Sequence, residues 1–357
     1  MKRIEQLENL IKENELDGIL IVNDSNIRYL TGFTSSESFA VISPKGRAFI
    51  TDSRYTEQAE REVVDFEIVK WRSPYAGLHE TIKAVSDKFG IKNLGYEKKY
   101  VSMEMYEKLE KILEGIKLVG TVGIAEQARR IKDDQEIDYM RKAAYFADKA
   151  FHEILSYVKV GVTEKDIERE LQYITKKIGA DDIGFPLIIA SGKNSSMPHA
   201  VPSDKQIEAG DFVTFDMGAL YKGYRSDMTR TIVVGQATDR QKEVYELVKR
   251  SQEESIKTIK AGVDGKIPHL KAREVIEETG IEGIFEYGVG HGVGLDIHED
   301  PFMSARCELT LEKGNVITVE PGIYIPGWGG IRIEDTVVVT DDGCEILTLS
   351  PKELIIV

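Results

Sequence analysis

The chain has 357 residues, enough for two domains and a large core, and its 41% apolar and 30% charged residues are ordinary for a globular enzyme. A net charge of −14 argues against nucleic acid or an anionic membrane as partner. Two cysteines, Cys307 and Cys344, make no disulfide framework, no apolar run approaches the ~20 residues of a bilayer span, and the charged start MKRIEQLENLIKENELDG lacks a signal-peptide core, so a cytoplasmic protein is expected.

Residues 1 to about 120 alternate helix and strand signals. Leu7, Leu10 and Ile11 mark one face of an amphipathic helix, and Gly18 to Val22 reads as a short buried strand. FAVIS, the turn Pro44-Lys45-Gly46 and RAFIT make a β-hairpin. Asp52-Ser53-Arg54-Tyr55 opens a helix with Asp52 or Ser53 as its cap, and VDFEIVKW is a strand. Helices over 77–90 and 102–114 each lead into a short strand, NLGYE and IKLVG. This predicts a self-contained α/β domain over 1–125, with a second domain over 126–357.

In the second domain Asp133-Asp134 caps a long helix predicted from Gln135 to Lys159. Gly161 ends it, and a second helix runs from Glu164 to Ile178. The same punctuation returns 101 residues later at Gly262, between helices at 240–260 and 268–279. Each helix pair precedes a related hairpin. Asp211 to Val234, DFVTFDMGALYKGYRSDMTRTIVV, matches Asn315 to Val339, NVITVEPGIYIPGWGGIRIEDTVVV, with Gly210 on Gly314, Asp216 on Glu320 and Gly218 on Gly322 at a spacing of 104. That is too long a period for a solenoid and reads as a duplicated α+β unit about a pseudo-twofold axis.

Each hairpin carries two acids: Asp216 and Asp227 in the first copy, Glu320 and Glu334 in the second. Taken singly, an acid at a strand end is usually solvated. Four converging on buried strands repel and lose hydration, so they need cations. His291, in Gly288-Val-Gly-His-Gly-Val-Gly294, adds one nitrogen donor on a strand whose glycines allow close backbone approach. The glycines are not a dinucleotide fingerprint, because Val293 stands at the third glycine position. Four carboxylates and one imidazole suit two divalent ions such as Mn²⁺, with Co²⁺, Zn²⁺ or Fe²⁺ also compatible.

The strings FDMGALYKGYRSDMTRT, GHGVGLDIHE, VEPGIY and GIRIEDTVVV resemble the pita-bread metallopeptidases, in particular aminopeptidase P and Xaa-Pro dipeptidase (prolidase). YLTGF and ITDSRYTEQA resemble the creatinase-like N-terminal domain of the same enzymes, so the likeness covers almost the whole chain. The resemblance implies five metal ligands, Asp216, Asp227, His291, Glu320 and Glu334, with Asp227 and Glu334 flanking both ions. It also implies functional roles for His199, in Ser196-Met-Pro-His-Ala-Val-Pro202, for His298, and for Arg332 as the group that steers a ligating carboxylate. Histidines 79, 152 and 269 have no such context.

The implied activity is hydrolysis of the peptide bond before proline in a di- or oligopeptide. A bridging hydroxide generated by the metals attacks, Glu320 accepts its proton, His298 stabilises the oxyanion and His199 orients the scissile group. A homodimer is implied as well. One position departs from the family: Tyr287 stands four residues before His291, where the family often carries a histidine that lines the substrate pocket. The alternatives are a different pita-bread hydrolase or a non-catalytic binding scaffold of that fold. Creatinase-like amidinohydrolases and scaffolds lack parts of the ligand set that is complete here, and methionine aminopeptidases usually lack the N-terminal domain.

Overall fold

The computed structural model describes residues 2–72, 74–283 and 285–357; Met1, the first residue of the predicted N-terminal helix, lies outside the described residues with Ser73 and Ile284. The chain divides into two units, Met1–Arg129 and Arg130–Val357. No helix among the described residues is long and apolar enough to cross a membrane.

In the first unit six strands form one sheet, in the order Glu67–Lys70, Gly46–Thr51, Phe39–Ser43, Gly18–Ile21, Asn93–Glu97 and Lys117–Thr121. The predicted hairpin is antiparallel from Phe39↔Ile50 to Ser43↔Gly46, while Gly18–Ile21 pairs in parallel with Asn93–Glu97. Leu20, Val41, Ile50 and Leu94 pack beneath Ile82, Val85 and Leu109 of the covering helices.

Two local readings change. The helix after the hairpin is Thr56–Glu62 and its N-cap, Tyr55, makes no side-chain cap. The Asp52 carboxylate instead accepts from the Arg54 backbone N–H at 2.8 Å and from its guanidinium, a turn that competes with capping. A helix at Asp24–Thr31, capped by Asn23 and closed by Gly32 at φ 81°, gave no periodic signal because it has only eight residues.

The second unit carries the repeat. Its helices are Asp134–Ile154 and Glu164–Lys177 in the first half, Asp239–Lys257 and Ile267–Glu277 in the second. Asp133 with Glu136, Thr163 with Asp166 and Thr238 with Gln241 form reciprocal capping boxes at three of the four starts. The first helix ends five residues short of the predicted Lys159. Beyond Ile154 the chain tightens into turns, with Tyr157 N–H donating to Ile154 O at 2.9 Å, while Val158 stays buried in the same core.

The matched glycines show the duplication in the backbone. Gly161 and Gly262 have φ of 91° and 85°, and Gly210 and Gly314 have φ of 89° and 87°, a left-handed conformation that side chains resist. The central ladders correspond too: Phe212–Met217 pairs with Met228–Val233, and Val316–Val319 with Asp335–Val339, both antiparallel. Each predicted hairpin turn holds a smaller ribbon, Ala219–Tyr221 with Tyr224–Arg225 and Gly322–Ile325 with Gly329–Arg332. Phe146, Phe151, Ile167 and Leu171 cover Phe215, Met217 and Ile232 in one half, while Val244, Val248, Ala272 and Ile276 cover Ile317, Val319 and Val337 in the other.

The halves are stitched through their acid-bearing ends. Glu334 N–H donates to Thr229 O at 3.1 Å, and Thr231 Oγ1 donates to Arg332 O at 3.0 Å. Behind them lies the fully buried Arg230, paired with Asp335 at 2.7 Å and donating to the Ser350 carbonyl, so that the C-terminal segment closes over both ladders. Arg230→Met is expected to lower the stability of this unit by about 3 kcal/mol, read as a lower urea midpoint, because Asp335 loses its closest cation inside the core. An unchanged midpoint would show that Lys352, 3.0 Å from Asp335, suffices alone.

Candidate metal centre and active site

The eight residues given a metal-binding or catalytic role from the sequence line one cavity of about 690 Å³ in the second unit, His199, Asp216, Asp227, His291, His298, Glu320, Arg332 and Glu334, and Tyr287 lines it with them. Histidines 79, 152 and 269 do not line it. Asp216 is the fifth residue of strand Phe212–Met217 and pairs with Thr229. Asp227 immediately precedes Met228–Val233. Glu320 follows Val316–Val319, and Glu334 precedes Asp335–Val339. His291 is the middle residue of Gly290–Gly292, where a Cβ on either glycine would run into backbone oxygens of Thr318 or Asp300. Side-chain-free neighbours are therefore what let that strand approach the acids.

Asp227, His291 and Glu334 are buried and offer ligand atoms that all lie within 4.8 Å of one another. His291 Nε2 is 3.7 Å from Asp227 Oδ2 and 3.4 Å from Glu320 Oε1. Its Nδ1 lies 2.9 Å from the Gly292 carbonyl, a contact that leaves Nε2 free to turn toward the acids. Glu334 Oε2 accepts from Thr229 Oγ1 at 2.7 Å, whereas its Oε1 is buried and has no hydrogen-bond partner among the described residues. An orphaned buried carboxylate oxygen beside two further donors is the environment a cation satisfies.

Electrostatics say the same. Burial, then the charges of Glu334 and Asp216, push the Asp227 carboxyl well above its usual range. Burial and Glu320 do so for Glu334, and burial pushes Glu320 up to about 8. Burial holds His291 down to about 4, so its ring is neutral and able to ligate at physiological pH. Burial, with His199 second, also lowers His298, whose ring centroid is 4.4 Å from that of His291.

Asp216 is held differently, by Arg332 Nη2 at 2.6 Å. The same guanidinium donates through Nε to Thr229 Oγ1 at 3.0 Å, and through Nη1 to the Tyr324 hydroxyl at 2.8 Å and the Pro198 carbonyl at 3.3 Å. Tyr287 donates its hydroxyl to Tyr324 at 2.8 Å, extending the chain to the cavity wall. Tyr324 and Thr229 were not singled out from the sequence. Their signal was present, since one ends the VEPGIY string and the other lies in SDMTRT, but neither residue type announces a hydrogen-bonding link.

The model of metallopeptidase family M24 matches residues 138–341, and that of the Creatinase/Prolidase N-terminal domain matches residues 3–131. The chain belongs to metallopeptidase family M24. A Xaa-Pro dipeptidase of Pyrococcus furiosus is 36% identical, with 99% of each chain aligned. Among solved structures, a Xaa-Pro dipeptidase from Bacillus anthracis superposes with TM-score 0.96 at 43% identity, covering 100% of this chain and 99% of that one. An X-Pro aminopeptidase from Thermotoga maritima superposes with TM-score 0.90 at 38% identity, covering 98% and 100%. The resemblance drawn from the sequence is borne out, as is the fold it implied: an internally duplicated pita-bread unit preceded by a creatinase-like α/β unit. M24 membership brings divalent metal ions as cofactor, and the buried Asp, His and Glu group is suited to hold them.

Proposed function

We propose that this chain is a metal-dependent exopeptidase that hydrolyses the peptide bond before proline in di- or oligopeptides. The observation that carries the reading is the buried set of Asp227, His291 and Glu334, with Glu320 beside it and one Glu334 oxygen without a hydrogen-bond partner among the described residues. The activities named for the Pyrococcus, Bacillus and Thermotoga relatives support the substrate class.

In this reading Asp216, Asp227, His291, Glu320 and Glu334 hold two divalent ions, with Mn²⁺ the preferred pair for a mostly oxygen donor set. When bound, the ions neutralise the acids and lower the pKa of water toward neutrality. Glu320, placed at His291 Nε2, takes and returns a proton at its carboxylate. His298 and His199 line the same cavity and stabilise and orient the reacting carbonyl. Arg332 fixes the orientation of Asp216 and ties it to the backbone just before His199. Phe185, Pro186, Pro198, Pro202 and Phe302 give the cavity a rigid, largely apolar wall for a pyrrolidine ring and its neighbour. A cytoplasmic homodimer completes the proposal, the dimer by resemblance and the compartment by the two free cysteines.

The test is bound metal together with turnover of Ala-Pro and Ala-Pro-Ala. Retained divalent metal and hydrolysis of at least one peptide support the reading. A protein that binds metal but cleaves neither peptide is a different hydrolase, and one that binds no metal is a scaffold.

Tyr287 offers a second test. It replaces an imidazole with a phenol that burial keeps neutral, and its hydroxyl is committed to Tyr324. Tyr287→His is expected to change the ratio of kcat/KM for Ala-Pro to that for Ala-Pro-Ala by about 10-fold while leaving metal content intact. Equal ratios in the two proteins would remove Tyr287 from substrate discrimination.

A further inference from the structure

Glu164 is fully buried, stands outside the cavity, and opens the helix Glu164–Lys177, whose N-terminal end favours negative charge. Its two carboxylate oxygens are divided between two distant residues. Oε1 accepts from Ser191 N–H at 2.7 Å and Ser191 Oγ at 2.8 Å. Oε2 accepts from Ser203 N–H at 3.0 Å and Ser203 Oγ at 2.6 Å. Asn194 Nδ2 reaches both, at 3.2 and 3.3 Å. Ser191 and Ser203 are the two ends of the loop that carries His199.

Three further bonds hold the loop between those ends. Ser195 Oγ donates to Gly192 O at 2.6 Å and accepts from Gly330 N–H at 2.8 Å, and Pro198 O accepts from Arg332. The His199 side chain is exposed, and no hydrogen bond holds its ring among the described residues. Its place in the cavity is therefore set by the loop backbone, and the loop is closed by one carboxylate. A carboxylate accepts at both oxygens, and its roughly four lone-pair sites match the N–H and hydroxyl of the two serines. A carboxamide in its place keeps one acceptor oxygen and turns N–H groups toward the N–H of Ser191 or Ser203, which breaks one end of the closure.

We infer that Glu164 is a positioning residue of the reaction: by binding both ends of the 191–203 loop it sets His199 over the cavity. This rests on the function proposed above.

The experiment is a double-mutant cycle of Glu164→Gln and His199→Ala, measured on Ala-Pro-Ala, with metal content and thermal melting recorded for each protein. Glu164→Gln alone is expected to lower kcat/KM by about 10-fold or more with metal still bound, the scale of losing an outer-shell support. In the His199→Ala background the same change is expected to cost less than about 2-fold, because the group it positions is gone. Equal losses in both backgrounds, or none in either, would overturn the inference. Ser203→Ala run through the same cycle, with its smaller perturbation, decides the matter if Glu164→Gln does not fold. As a readout independent of turnover, the His199 ring resonances of the metal-free protein are expected to shift in Glu164→Gln, and unmoved resonances count against the role. Wild-type protein that neither binds metal nor cleaves proline peptides would instead sink the underlying function.

Discussion

Asp227→Asn is expected to cost on the order of 10³-fold or more in kcat/KM and, at the same time, to raise the melting temperature of the metal-free protein. The two effects share one cause. Asp227 is buried beside Glu334, Asp216 and Glu320 at the wall of the cavity, and burial and those charges together push its carboxyl well above the ordinary range. Near pH 7 the metal-free fold must either hold a proton there or bury an opposed charge, while the unfolded chain does neither. Asparagine removes that penalty at nearly constant volume, and a gain of about 1 kcal/mol corresponds to roughly 2–4 °C in a unit of this size. With metal present the order reverses, since the wild type gains the binding free energy as stability and the variant loses a ligand. Melting each protein in chelator and in excess Mn²⁺ gives four temperatures. A chelated variant that melts below chelated wild type, or one that keeps the full metal-induced rise, would show that Asp227 does not belong to a cation site.

How much of this was legible beforehand follows from what kind of signal each feature leaves. The duplication was readable because glycines and strand-end acids recur at fixed offsets, and the structure gives the matched glycines Gly161, Gly262, Gly210 and Gly314 the same left-handed conformation. The convergence of the acids with His291 was readable because four like charges on apolar strands have few tolerable fates. Features built from hydrogen bonds between distant residues were not. Thr229, Tyr324 and Glu164 organise the site through contacts between residues far apart in the chain, and a threonine, tyrosine or first-turn glutamate has many ordinary reasons to occur. Local competition also defeated pattern in two places. Asp52 binds Arg54 rather than capping a helix, and the long helix stops at Ile154, where turn hydrogen bonds replace the helical ladder although the apolar stripe goes on to Val158.

The metal-free protein is expected to lose stability as pH rises from 6.5 to 8, and the metal-loaded protein is not. Glu320 is held up to about 8 from an ordinary 4.5, and Asp227 and Glu334 are raised as well. Between the unfolded and folded pKa of such an acid the folded state holds more protons, so each one costs about 1.4 kcal/mol of stability per pH unit as pH climbs. His291 acts in the opposite sense. Its folded pKa lies near 4 against an unfolded 6.5, so from 4 to 6.5 the unfolded chain holds the extra proton and stability rises with pH. The two trends partly cancel below 6.5, and above it only the acids remain. Urea midpoints of chelated protein at pH 6.5, 7.2 and 8 measure the slope, and Glu320→Gln is expected to flatten it. Metal binding must then release the protons that the folded acids hold, which calorimetry in buffers of differing ionisation enthalpy detects as a buffer-dependent heat. A flat or rising stability across that window, with no proton release, would mean that the acids are already ionised and paired without metal, and the repulsion that calls for a cation would not exist.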